Sequence, residues 1–325
     1  MIAAVPVHAE DAAPPPEERV SLHFQSTVAT QAHPSFPALY SGRNSMQSGA
    51  ESATSIVTDL FAGVRLWSGA ELYLQPELSG GMGLSSTLGV AAFPSGEVYR
   101  VGDPKPSIVV AKVFLRQVIG LGGGTVSREA GPNQLAGTRD RDALTFTIGK
   151  VAVPDFVDDV PFSNDPHTHF MSWGLFASAA YDYPADTRGY TWGIATDLSM
   201  SWWSVRAALV LEPRSANQMA MEWRVDEARG LVAEVEGRFV LWNGKGAARA
   251  LVFLNDARMG SYQQALDDPA ARLDVTATRA FGRTKKGFAA SVNQDLGNGL
   301  GAFARASYND GANETWAFTE IDRSL

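Results

Sequence analysis

Eight charged residues recur where strand-like segments alternate between apolar and polar side chains: Arg65, Lys112, Arg116, Arg206, Glu234, Glu236, Arg238 and Arg305. Guanidinium, ammonium and carboxylate groups set along one face supply fixed hydrogen-bond donors and acceptors. Planar arginine offers paired donors to adjacent hydroxyls, where lysine offers a point charge. Such a face suits a polyhydroxylated solute, with aromatic side chains to stack on the apolar faces of a ring. Reagents for covalent chemistry are scarce. The chain has no cysteine, which removes a thiol nucleophile, a thiolate metal site and a disulfide scaffold. It has no Gly-x-Ser-x-Gly, and its five histidines (His8, His23, His33, His167, His169) all fall in its first part. A triad of distant residues stays open, because triads are geometric. His167 and His169 beside Asp165 have a spacing that admits a metal, but no third ligand is identifiable in a Pro-rich neighbourhood, and they read as a hydrogen-bonded loop entering the next strand. Gly120–Gly124 lacks the Gly-Lys-Ser/Thr sequel of a phosphate loop and reads as an ordinary loop.

The elements that would position these charges are strands. Period-2 alternation is common and helical periodicity is scarce. In 54–66, Ile56, Leu60, Ala62, Val64 and Leu66 share one face, with Asp59 and Arg65 on the other. In 108–121, Val109, Ala111, Val113, Leu115, Ile119 and Leu121 oppose Lys112, Phe114 and Arg116. In 171–183, Met171, Trp173, Leu175, Tyr181 and Tyr183 alternate with Ser172, Gly174, Ser178 and Asp182. The segments 203–212 and 231–241 repeat the pattern with Arg206, Glu234, Glu236 and Arg238 on the polar parity. About fourteen strands are predicted: 20–30, 53–66, 70–79, 107–120, 143–152, 170–183, 189–200, 203–213, 229–242, 247–256, 273–281, 286–296, 300–309 and 314–325. A short helix within a loop is expected in 257–271.

A soluble sandwich would turn the charged parity to water. An antiparallel transmembrane β-barrel would turn it to the lumen, because a charge at mid-bilayer on the lipid face costs roughly 2–4 kcal/mol. Three features favour the barrel. The segments have about the ten-residue length of a tilted membrane strand. Aromatic residues sit near segment ends (Trp67, Trp173, Tyr183, Tyr190, Trp202, Trp203, Trp242), as interfacial girdles would. Short connections (Ser68-Gly69, Pro184–Arg188, Asn243–Gly246, Asn309–Asn313) alternate with long ones (31–52, 80–106, 121–142, 153–169). One long loop, 121–142 or 153–169, is expected to fold inward, where Arg128, Arg139, Arg141 and Asp155 would meet Arg116.

Composition agrees. Lys+Arg 27 against Asp+Glu 35 gives a net charge of −8, which argues against nucleic acid as a partner. No apolar run is long enough for a transmembrane helix. Residues 1–19 read as a signal-peptide remnant ending near Val7-His8-Ala9, then an acidic, Pro-rich, disordered lead-in; residues 20–325 read as the barrel. The end at Asp322-Arg323-Ser324-Leu325 falls within a predicted strand, so C-terminal strands are expected to be missing.

The chain resembles the carbohydrate-selective porins of the OprB type. The resemblance is carried in order by His23-Phe-Gln-Ser-Thr-Val, His33-Pro-Ser-Phe-Pro-Ala-Leu-Tyr-Ser-Gly42, Phe114-Leu-Arg-Gln117 and Gly131-Pro-Asn-Gln-Leu-Ala-Gly-Thr-Arg139. It continues through Gly149-Lys150, Pro154-Asp155-Phe156, Asn164-Asp165-Pro166 and, most specifically, Asp182-Tyr-Pro-Ala-Asp-Thr-Arg-Gly-Tyr-Thr-Trp-Gly193. Leu254-Asn255, Ala257-Arg-Met-Gly-Ser-Tyr262, Gly301-Ala-Phe-Ala-Arg305 and Asn309-Asp-Gly311 through Leu325 complete it. It implies a sixteen-stranded barrel in the outer membrane of a Gram-negative bacterium, passing glucose and related carbohydrates by facilitated diffusion. It implies neither catalysis nor a cofactor. The implied partners are carbohydrate solutes, outer-membrane lipid and the barrel-assembly machinery, with a homotrimer left open. A general or ion-preferring porin on the same barrel, and a barrel with enzymatic or adhesive function or else a soluble β-domain, are the alternatives.

Overall fold

The computed structural model describes residues 15–42, 45–87, 96, 105–316 and 320–325. Among these, twelve strands form one antiparallel sheet in chain order, each paired with its sequence neighbours. They are β1 (Val20–His33), β2 (Glu51–Trp67), β3 (Ala70–Gly81), β4 (Ser107–Arg128), β5 (Gly137–Val151) and β6 (Thr191–Ser199). There follow β7 (Trp203–Val210), β8 (Arg229–Leu241), β9 (Gly244–Met259), β10 (Ala280–Gly297), β11 (Leu300–Asn309) and β12 (Arg323–Ser324). No helix among the described residues is long and apolar enough to cross a membrane. The expected helix is α2 (Tyr262–Asp267), capped by the Ser261 side chain.

One face of the sheet is bare and apolar. Ile194, Leu231, Val235, Val252 and Phe288 all lie exposed on it, Val235 at 53% and Val252 at 59%. The other face carries the polar parity and is covered over β6–β10 by the β5–β6 connection. There Val153, Val157, Trp173, Tyr181, Tyr183 and Ala185 pack on Ala195, Ala208, Val232, Leu251, Phe253 and Ala289. An apolar bare face beside a polar covered one is the pattern of a sheet whose outside meets lipid. Val235→Arg, in mid-β8, is therefore expected to cost about 2–4 kcal/mol of membrane-inserted stability. Heat-modifiable migration on a detergent gel checks this, with the folded band expected to melt earlier than in the parent.

Several expectations are corrected. Against about fourteen predicted strands, the described residues hold twelve. Segment 170–183 is not a strand: it holds the one-turn α1 (Trp173–Phe176) within the β5–β6 connection, with Trp173 and residues 177–183 buried and Phe170, Met171 and Leu175 exposed. Its alternation reflects an irregular segment wedged between a polar wall and an apolar core. Pro184–Arg188 is then no hairpin turn but the end of that connection. Segment 273–281 is a 3-10 turn over Val275–Thr278 that leads into β10. Of 314–325, only Arg323 and Ser324 pair, with Tyr308 and Ser307, and residues 317–319 lie outside the described residues. The aromatic girdle is also smaller. Trp67, Trp202 and Trp242 are exposed at short turns, but Trp173 and Tyr183 are core residues.

Two local devices alter the expected faces. Pro76, within β3, has no N–H to give the ladder. The register shifts there, from Gln75 opposite Lys112 to Pro76 opposite Val110, so Ala111 is bulged. Val109 thereby joins the face of Lys112, Phe114 and Arg116 instead of opposing it. The glycine run 120–124 is not a loop but part of β4. Gly122, Gly123 and Gly124 have φ of 89°, 77° and 91°, a region L side chains avoid, and the β4–β5 register shifts twice across them. The expected loop 121–142 thus shrinks to a tip at 129–136, bent back onto the covered face.

The signal-peptide reading at 1–9 and residues 10–14 of the lead-in lie outside the described residues. Residues 15–19 are tied down. The Glu18 amide donates to the Ala136 carbonyl (3.1 Å), and the Glu18 carboxylate accepts from the Ala136 amide (2.9 Å). The Glu17 carboxylate accepts from the Thr138 amide (2.9 Å).

Candidate solute cavity

Between the covered face of β1–β7, the β4–β5 tip and the β5–β6 connection lies a cavity of about 840 Å³. Six acidic side chains (Asp59, Glu77, Asp155, Asp159, Asp165, Asp197) and six basic ones (Lys112, Arg116, Arg128, Arg139, Arg188, Arg206) line it. Gln25, Gln75, Asn133, Thr145, Thr147, Trp173 and Tyr190 add hydroxyls, amides and rings.

Strand alternation places these groups. On β3, Glu71, Tyr73, Gln75 and Glu77 point to the covered face while Leu72 and Leu74 point away. Glu71 is 4% exposed and serves three arginines. Its Oε1 lies 3.5 Å from Arg65, and its Oε2 lies 3.9 Å from Arg116 and 3.6 Å from Arg128. The same oxygen accepts from the Tyr73 hydroxyl (2.7 Å). Arg116 donates from Nη1 to the Asn133 carbonyl (3.1 Å) and lies over the rings of Tyr73 and Phe114, 5.0 and 5.3 Å from their centroids. Arg65 closes this group at the short-turn end, pairing with Glu17 and donating to the Ala136 carbonyl.

The opposite wall is the β5–β6 connection, held by Asp158. The Asp158 amide donates to Glu234 (2.7 Å), and its carboxylate accepts from the Ser178 amide and hydroxyl and pairs with Arg305 Nε (3.4 Å). Arg305 also donates to the carbonyls of Leu175 (2.6 Å) and Asp158 (3.2 Å). Burial pushes the Asp158 carboxyl up from its ordinary range, and Arg305 with the Ser178 hydrogen bonds pulls against that. The connection's end docks on β3 and β4. Arg188 pairs with Glu77 (3.1 Å) and donates to the Ser107 hydroxyl (2.6 Å), and the Tyr190 hydroxyl donates to Glu77 (2.5 Å).

All eight charged residues singled out in the sequence lie on the covered face, but in three settings. Lys112, Arg116 and Arg206 line the cavity. Arg65 stands beside it in the Glu71 group. Glu234, Glu236, Arg238 and Arg305 do not line it. Glu234 and Arg305 anchor the connection, and Glu236 pairs with Arg206 (3.3 Å), Arg238 (2.7 Å) and Arg249 (2.8 Å). Of the expected partners of Arg116, Arg128 and Arg139 line the same cavity, and Asp155 pairs with Lys112 there (2.6 Å). Arg141 does not join them: it is exposed on the hairpin. Sequence reasoning placed Asp59 on the face of Arg65 without making it a candidate, and missed Glu71, Glu77 and Arg188. The alternation of Glu71, Gln75 and Glu77 with Leu72, Leu74 and Leu78 was the available signal for the β3 acids.

His167 bonds to Asp165 (2.8 Å), as the hydrogen-bonded loop reading expects. Burial, which would raise the Asp165 carboxyl, is outweighed by hydrogen bonds from His167 and Thr168, and it is held well below the usual range. Among the described residues no group of three or more His, Asp or Glu side chains is placed to hold a metal ion.

The family of carbohydrate-selective porins of the OprB type matches residues 43–320. No curated protein matches the chain. Among solved structures, the high-pH structure of OprB from Pseudomonas putida is similar, with a TM-score of 0.62 and 14% identity over 94% of this chain and 69% of that one. That likeness shows the shared fold, and the family match covers most of the chain. The protein therefore belongs to the OprB family of carbohydrate-selective porins, transport proteins of the outer membrane of Gram-negative bacteria rather than enzymes.

Proposed function

We propose that sugars such as glucose cross the outer membrane through this cavity by facilitated diffusion. The observation that carries the reading is the balance of its walls: six acids and six bases, half of them paired with one another as Lys112–Asp155, Arg188–Glu77 and Arg206–Asp197. A fixed ion is opposed by half of such a lining. A hydroxyl both donates and accepts, so an uncharged polyol can bond to either half. The volume lies within the roughly 300–1,000 Å³ of small-molecule sites. The solute exchanges water for wall hydrogen bonds and leaves down its gradient. Each bond must be weak and replaceable, or release would limit flux. Arg116 is the expected discriminator, its guanidinium lying over the rings of Tyr73 and Phe114. Insertion by the barrel-assembly machinery, contact with outer-membrane lipid and a homotrimeric assembly belong to this reading through the family alone.

The test is liposome swelling with glucose, a disaccharide and a zwitterion of glucose's size. Glucose is expected to enter faster than the zwitterion. Arg116→Ala is expected to reduce that preference severalfold, the worth of about 1 kcal/mol in one guanidinium–hydroxyl contact, while ionic conductance changes less. Rates set by size alone would reduce the protein to a general porin.

A further inference from the structure

The charges of the cavity balance as a whole but not locally. On the β4–β5 wall, Arg116, Arg128 and Arg139 come together, and among the described residues Glu71 is the one carboxylate that pairs with any of them. Glu71 also serves Arg65 and Tyr73, so it is oversubscribed. Asp155 is engaged by Lys112 and Asp197 by Arg206 (3.5 Å). The Arg139 side chain makes no hydrogen bond or ion pair among the described residues, and its Nε is buried without a partner. An unpartnered buried donor on a cationic group is costly, and a ligand oxygen relieves that cost. Among the described residues Arg116 commits only Nη1 to hydrogen bonds, which leaves its other donors for a ligand.

We propose that this arginine wall is an anion subsite that takes the carboxylate of an acidic sugar, an aldonate or a uronate. The cavity would then pass sugar acids as well as neutral sugars. A planar carboxylate accepts from a guanidinium fork through two parallel bonds. The ligand's hydroxyls would meet Gln25, Asp59 and Gln75 in the same cavity. A bare inorganic anion would gain the charge term without those hydroxyl contacts, so the preference is for sugar acids over chloride. This inference rests on the cavity being the sugar path.

The experiment is uptake of gluconate and glucose into proteoliposomes at low solute concentration, where influx follows partition into the narrow region. Parent, Arg139→Gln, Arg139→Lys and the remote, exposed Arg258→Gln are compared. In the parent, gluconate is expected to enter at a rate comparable to glucose or above it. Arg139→Gln is expected to lower the gluconate-to-glucose ratio about tenfold, the worth of one charge-assisted hydrogen bond. Arg139→Lys should retain part of the ratio, and Arg258→Gln all of it. Exclusion of gluconate by the parent, or an unchanged ratio in Arg139→Gln, overturns the subsite. Glucose no faster than a size-matched zwitterion would instead overturn the sugar path, so the two failures are distinct.

Discussion

Asp158→Ala is expected to open the channel to larger solutes. The Asp158 carboxylate is buried and receives both Ser178 donors and Arg305. Its loss leaves Arg305 without its carboxylate partner inside the protein, and breaking a buried pair in this way costs about 3–5 kcal/mol. That strain falls on the fastening of the β5–β6 connection, not on the strand ladders. The connection has its own apolar footing through Val153, Val157, Trp173 and Tyr183. It is expected to loosen at the Asp158 end rather than leave entirely. Single-channel recordings should show higher and noisier conductance, and disaccharide swelling rates should approach those of glucose. Asp158→Asn keeps an acceptor for Ser178 but loses the charge for Arg305, so it should fall between. Unchanged conductance in Asp158→Ala would mean that the connection does not narrow the path.

Glu71→Ala carries the second large effect, and its sign is electrical. Glu71 is the carboxylate shared by Arg65, Arg116 and Arg128. Without it the β4–β5 wall gains net positive charge. At an effective dielectric of about 20, a charge about 8 Å away is worth roughly 2 kcal/mol to a passing ion before screening. The reversal potential in a KCl gradient is therefore expected to move several-fold toward anions, with the shift shrinking at high salt. The same variant frees Tyr73 and Arg128, so the folded band on a heat-modifiability gel should also melt earlier. A variant with parental ion selectivity would show that Glu71 stands outside the conducting path.

Much of this was legible in the sequence, for a physical reason. In β2, β7 and β8 one parity must be apolar and the other is free to be charged, so the alternation of Leu231, Ala233 and Val235 with Glu234 and Glu236 could hardly be missed. The same rule misled at 170–183. Trp173, Tyr181 and Tyr183 bury themselves against the sheet without being strand residues, and period-2 spacing does not distinguish the two. The bulge at Ala111 was foreshadowed by Pro76, but only the pairing of β3 with β4 shows which residue it displaces. Long-range pairs were beyond reach. Arg305 was seen as a charge on the polar parity, but its partner Asp158 lies 147 residues away and is positioned by the fold. Arg128 and Arg139 were expected near Arg116. What made them converge is the glycine bend at 122–124, which in the sequence looks like a loop.

The central claim is that the cavity on the covered face is the route of the sugar. The chain has no cysteine, so single cysteines can be read without background. Thr145 lines the cavity, and its neighbour Phe146 lies 42% exposed on the bare face. Thr145→Cys and Phe146→Cys, reconstituted in liposomes and treated with a charged, membrane-impermeant thiol reagent, test the claim directly. Labelling of Thr145→Cys should block glucose influx, and glucose should slow the labelling, while Phe146→Cys should stay unlabelled and conduct normally. Full labelling of Thr145→Cys with undiminished glucose influx would contradict the claim, because the sugar would then be passing elsewhere.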